Sequence, residues 1–275
     1  MNPSTLARLP MMLTDLRLPT MKQVWQGLAT KSNQEGWPAE RFLATLLEQE
    51  VLGREVRRLE RRRQESYLPP DKRLGNYDFT VVPTLSKAQV QALAEADGWI
   101  QEGANLLLFG PPGVGKSHLV AAVGHALVER GYRVYFTRTS DLVQQLQSAR
   151  KELRLPATLA KLDRFDLLVL DDFSYVRRDQ AETSVLFELI SERYERKSLA
   201  ITANQPFSAW DQVFPEAAMT VAAVDRLVHR STILELNAES YRRRTAQNRA
   251  NITVTEKEAT HKPKESHQRK SQVTQ

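Results

Sequence analysis

The chain has 275 residues, 41% hydrophobic and 26% charged. That is enough for one large domain or a medium domain with a smaller one, and it excludes collagenous, wholly disordered and disulfide-stapled classes. Zero cysteines remove disulfides, iron–sulfur clusters, thiol catalysis and thiolate zinc sites, and the five histidines show no HExxH spacing. No apolar run approaches about 18 residues and no signal-peptide pattern opens the chain, so a cytoplasmic protein without membrane contact is expected.

The net charge of +6 is unevenly spread. Residues 1–75 carry 13 Lys/Arg against 9 Asp/Glu, residues 76–240 carry 17 against 21, and residues 241–275 carry 9 against 3. An acidic middle between basic ends fits a nucleic-acid footprint, since duplex DNA binds chiefly through phosphate neutralisation; a solvated surface gives the same count.

In chain order, Thr20 is placed to cap a helix through Val24, Trp25 and Leu28, closed by Gly36. A longer helix opens at Pro38, and the stripe Phe42, Leu43, Leu46, Leu47, Val51, Leu52, Val56, Leu59 keeps helical spacing up to the Pro69-Pro70 break. Arg54, Arg57, Arg58, Arg61, Arg62 and Arg63 lie on its last turns. Glutamates 55, 60 and 65 are spaced to pair with some of them, so either a salt-bridged face or a set of phosphate forks is available; the arginine surplus favours DNA contact. Residues 67–86, with Pro69, Pro70, Gly75 and Pro83, have linker composition. A helix is expected from 86 or 87 to about 100. Short apolar segments at 105–109, 133–136, 166–170, 199–202 and 233–236 alternate with helical stretches, the pattern of a doubly wound parallel α/β sheet. The last 30 residues are polar and basic, and disorder is expected there.

The first of these strands runs into Gly110-Pro111-Pro112-Gly113-Val114-Gly115-Lys116-Ser117, followed by a helical stretch starting with His118 and Leu119. This is GxxxxGK[ST] in its strand–turn–helix context. Glycines at 110, 113 and 115 let successive N–H groups and the helix N-terminus face a phosphate that side chains would obstruct. Lys116 then bridges the β- and γ-phosphates and the Ser117 hydroxyl ligates Mg²⁺, so ATP with Mg²⁺ is the expected pair, and His118 is counted with the nucleotide-binding residues.

The strand at 166–170 ends in Asp171-Asp172. At the carboxyl edge of such a sheet, Asp171 would hold Mg²⁺ and Asp172 would orient the attacking water as general base. Asn204, after the fourth strand and before Pro206, offers a neutral amide to the γ-phosphate or the water. Arg226, in Asp225-Arg226-Leu227, is a candidate arginine finger presented by a neighbouring subunit, against an ordinary helix salt bridge. The run Asn76-Tyr77-Asp78-Phe79 offers an aromatic for an adenine pocket, against a packed linker.

Taken together, GPPGVGKSHL at 110–119, DLLVLDDF at 166–173, ITANQP at 201–206, DRLVHRS at 225–231 and ESYRRR at 239–244 resemble the AAA+ ATPases of the IstB-like group, the ATP-binding helpers of bacterial insertion sequences. LRLPTM at 16–21 and the basic helix ending in RRLERRR resemble that group's small DNA- and partner-binding domain. The resemblance implies an all-α N-terminal domain at 1–66, a linker at 67–86, an AAA+ P-loop domain at 87–245 and a basic tail at 246–275. It implies homo-oligomers assembled with ATP on double-stranded DNA, a partner transposase encoded by the same element, and a bacterial cytoplasm. Arg242 or Arg243 would sense the nucleotide. Many AAA+ proteins have Glu after the Mg²⁺ aspartate; Asp172 is one methylene shorter, which implies slow intrinsic hydrolysis. The replicative helicase loaders share this core and give the alternative reading, with single-stranded DNA and a helicase as partners.

Overall fold

The computed structural model describes residues 3–95, 98–173, 180–207, 210 and 217–238. Three helices come first: α1 (Pro3–Asp15), α2 (Pro19–Glu35) and α3 (Ala39–Glu65). The first of them lies in the region expected to be helical, although no separate signal marked its bounds. Gly36 closes α2 in the left-handed conformation, at φ 63°. The start of α2 differs from the expectation. Leu18 stands at the cap, and the Thr20 side chain caps nothing. Instead the N–H groups of Thr20 and Met21 donate to Glu50 Oε2 at 2.8 and 3.0 Å, so a carboxylate 30 residues away satisfies the open helix end.

Glu50 is buried, and its Oε1 also accepts from Arg54 Nε and an Arg57 terminal nitrogen, each at 3.1 Å. Burial alone would raise this carboxyl; the Met21 N–H, Arg54, the Thr20 N–H and the charge of Arg57 outweigh it and hold the group below the usual glutamate range. The helices cross closely here. A Cβ on Gly53 would stand 2.2 Å from Thr20 Oγ1, so glycine is the residue that permits the approach. The apolar cluster of this unit is small, centred on Leu13, Met21 and Leu46. Because α3 meets α2 along one face only, five of the eight residues of its expected core stripe stay outside, with Val51 55% and Val56 67% exposed.

Residues 67–86 are packed as well as proline-rich. Leu68, Val81, Val82 and Leu85 are buried in the same cluster as the sheet, and the Phe136 N–H donates to the Ser66 carbonyl at 2.8 Å. Two short 3-10 turns (74–76 and 79–81) carry the chain across. The single helix expected to about residue 100 is two, α4 (Lys87–Glu95) and α5 (Gly98–Gln101).

The sheet follows, with β1 (Asn105–Phe109), β2 (Val134–Arg138), β3 (Leu167–Asp171), β4 (Ser198–Ala203) and β5 (Ser231–Glu235). Between them lie α6 (Lys116–Glu129), α7 (Thr139–Lys151), α8 (Leu155–Leu162), α9 (Gln180–Arg193) and α10 (Ala217–Val228). All pairings are parallel, in the order β2-β3-β4-β1-β5. Alternate side chains serve opposite layers. Leu106, Leu108, Leu167 and Val169 pack towards α6, whereas Leu107, Phe109, Leu168 and Leu170 pack with residues of α7 to α10. Arg193 ties the strand entrances together, donating to the carbonyls of Leu162, Phe165, Asp166 and Ser198, and its burial pushes its pKa down to about 10. The chain therefore has the expected architecture, a P-loop α/β fold with a five-stranded parallel sheet preceded by helices.

Candidate nucleotide-binding site

Register brings the expected site residues to one edge. Phe109 pairs with Ala203 and Leu170 with Ile201, so the loops after β1, β3 and β4 open side by side at the carboxyl ends of the strands. That is where doubly wound sheets bind ligands.

The loop after β1 has the cradle geometry. Gly110, Gly113 and Gly115 have φ of 146°, 85° and 101°, values that suit glycine, while Pro111 and Pro112 stiffen the turn between them. A Cβ at Gly110 would meet the Leu236 carbonyl at 2.3 Å, and one at Gly115 would press on the Tyr77 ring at 3.2 Å. Val114 is buried and anchors the loop; Ser117 and His118 occupy the first turn of α6. Lys116 Nζ donates to the carbonyls of Gly110 and Pro111 at 2.7 and 2.9 Å and to Asn204 Oδ1 at 2.7 Å. The lysine and Asn204, 88 positions apart, are thus in direct contact.

Asp171 ends β3, buried, with Oδ1 accepting from the Thr202 hydroxyl at 2.5 Å. The same Thr202 oxygen accepts the Asp172 N–H at 3.0 Å, and Thr139 donates to the Asp171 carbonyl at 2.8 Å. Asp172 has φ 56°, a left-handed conformation that aspartate tolerates better than most, and its side chain is exposed at the strand edge. Phe173 behind it stacks on Trp210 at 4.7 Å. Thr202 and Thr139, which orient the acids, went unnoticed in the sequence; a buried threonine two positions before Asn204 was the available sign.

Residues 73–79 lie against the P-loop. The Tyr77 ring meets His118 and Phe79 edge-on at 5.3 and 4.8 Å, and His118 Nε2 is 3.2 Å from the Arg73 carbonyl. The Tyr77 hydroxyl is buried without a hydrogen-bond partner among the described residues; burial, aided by Asp78, pushes it up to about 12. Arg226, in the last turn of α10, lies over the Phe187 ring at 4.9 Å and donates to the Ala222 carbonyl at 3.0 Å. Arg242, Arg243 and the tail lie outside the described residues.

The six arginines of α3 do not share one task. Arg54 and Arg57 hold Glu50, Arg62 lies against Gly131, and Arg63 pairs with Glu129 at the far end of α6 at 2.7 Å. Arg58 and Arg61 are exposed and make no ion pair among the described residues.

Comparison with known proteins agrees with this geometry. The profile of the IstB-like ATP binding protein family matches residues 11–249. The chain belongs to that family. An insertion-sequence ATP-binding protein of Sinorhizobium fredii is 62% identical over 240 residues, 87% of this chain and 80% of that one. The IS21 ATP-binding protein of Pseudomonas aeruginosa is 34% identical, covering 85% of this chain and 88% of its own. Among solved structures, AMPPCP-bound DnaA from Aquifex aeolicus superposes with a TM-score of 0.52 at 21% identity, covering 62% of this chain and 51% of that one, a likeness of fold. This chain is thus an IstB-like ATP binding protein with a P-loop α/β core. Among its described residues no helix is long and apolar enough to cross a membrane.

Proposed function

We propose that this IstB-like protein is an ATP-dependent regulator of transposition that oligomerises on duplex DNA and recruits or stimulates the transposase of its own element. The observation that carries the reading is α6. Its first residue is Lys116 of the nucleotide cradle, and Glu129 at its last turn is gripped by Arg63 of the basic helix α3. A change at the phosphate end has a rigid helix through which to reach the basic unit.

ATP is held by the N–H groups of 113–117, with Lys116 leaving the Gly110 and Pro111 carbonyls for the β- and γ-phosphates. The residues also fit Mg²⁺, since the Ser117 hydroxyl and the Asp171 carboxylate are hard oxygen donors. When bound there, Mg²⁺ neutralises phosphate charge. Asp172 takes the proton of the attacking water, and Asn204, already bonded to Lys116, steadies the reacting edge. Water attacks the γ-phosphorus, the bond to the bridging oxygen breaks, and ADP and phosphate leave. Tyr77 and His118 form the aromatic wall beside the cradle. Arg226, packed on Phe187, serves the γ-phosphate of the adjoining subunit.

The test is ATP turnover by the purified chain, alone, with duplex and with single-stranded DNA. Slow basal turnover raised by duplex supports the reading. Stimulation by single strands alone favours the helicase-loader alternative, and fast turnover that DNA does not alter contradicts it. Mixing Arg226→Ala with Asp172→Asn subunits should restore part of the activity each lacks; no recovery removes Arg226 from the site.

A further inference from the structure

The corner between α1 and α2 forms an open recess of about 400 Å³ against α3. Four cations line it: Arg17, Lys22, Arg54 and Arg57. No carboxylate lines it; Arg54 and Arg57 reach Glu50 behind it, which two N–H groups also engage. Lys22 Nζ donates to Thr14 Oγ1 at 2.9 Å, and the Arg17 side chain makes no ion pair among the described residues. Arg17 itself is held at φ 55°, the turn that sets its side chain at the rim. Four positive charges against one negative leave a strongly electropositive recess whose floor, Leu13, Leu18 and Pro19, is apolar.

We propose that this recess is a phosphodiester seat for duplex DNA, built mainly by Arg17 and Lys22 on a base that Glu50, Arg54 and Arg57 hold in place. The inference rests on the duplex-binding reading above and relocates its contact from the whole of α3 to one corner of the helical unit. A polyanion fits better than a single carboxylate partner because the positive line continues outside the recess. At about 100° per residue, Arg54, Arg57, Arg58 and Arg61 fall within roughly 100° of arc on α3, and Arg58 and Arg61 are exposed without ion pairs among the described residues. Arg63 points to the opposite side, where Glu129 holds it. Arg54 and Arg57 act here as positioning residues as much as ligands, and the Arg17 carbonyl accepts from Arg54, so the informative substitutions are Arg17 and Lys22, whose side chains lie outside the Glu50 network.

The test is duplex affinity of the full chain across a salt series, for wild type, Arg17→Ala/Lys22→Ala and Arg63→Ala. The double variant should bind duplex at least about tenfold more weakly and lower the slope of log affinity against log salt by about 2, with ATP affinity and melting temperature unchanged. Arg63→Ala should keep the wild-type slope. A double variant with the wild-type slope overturns the phosphate seat while leaving the duplex reading intact. Failure of wild type to bind duplex at any salt overturns both, and in that case Lys22 protected from acetylation by an acidic peptide would give the recess to a protein partner.

Discussion

The two ends of α6 are built on different principles. At its start, the nucleotide cradle sits on a sheet whose central strands are wholly buried, and its polar groups are positioned by neighbours from the adjacent strand. At its end, three helices rest on an apolar cluster of three buried side chains and on a single carboxylate that gathers two helix N–H groups and two arginines. Hydrophobic burial fixes the first region, and a charged hub fixes the second. The contrast teaches where each kind of perturbation should be felt: pH and salt at the helices, side-chain chemistry at the sheet edge.

The largest effect should come from Lys116→Ala. It deletes the cation proposed to meet phosphate, worth about 1.5–3 kcal/mol as a charged hydrogen bond, and titration calorimetry should show ATP affinity falling tenfold to a hundredfold with the fold intact. Unchanged affinity would break the sheet-edge half of the comparison.

Glu50→Ala should be of similar size, confined to the helices. Leaving two N–H groups and two arginines without their acceptor is expected to cost about 3 kcal/mol, read as faster amide exchange in α2 while the sheet stays protected. The same hub predicts a pH response. Its folded carboxyl titrates below the ordinary glutamate value, so its stabilisation is complete above about 4.5 and is lost as pH falls through the lowered value. Trp25 fluorescence should follow that loss in wild type and be flatter in Glu50→Gln.

Gly53→Ala should cost about 1–3 kcal/mol, because the added methyl collides with Thr20 where helix propensity alone would favour alanine. A neutral or stabilising result would mean that α2 and α3 are not held at this spacing. The smallest effect belongs to Arg63→Ala. Both partners are more than a third exposed, so the pair with Glu129 is worth no more than about 0.5 kcal/mol, and its loss should show only in how nucleotide affects the helices.

The sequence made the cradle legible because GPPGVGKS is contiguous and every glycine answers a local backbone demand, and it made the sheet legible because buried parallel strands are short apolar runs. Asp171 and Asn204 were readable as strand ends. What joins them was hidden, since Thr202 lies 31 residues from the carboxylate it supports and only strand register brings the two together. At the helices, nothing in the sequence marked Glu50, and the arginine row looked uniform. Pairing across a turn decided which arginines are structural, and periodicity contains no information about that. The apolar stripe of α3 misled in the same way, because spacing shows that a face exists and not how much of it a neighbour covers.

The most direct test of the account is the mass of the full chain on duplex DNA with ATP, with ADP and without nucleotide, for wild type and Lys116→Ala. The account predicts large assemblies with ATP on wild type alone. Assemblies of equal size in all three states, or in Lys116→Ala with ATP, would contradict control of the DNA-bound form by the nucleotide site.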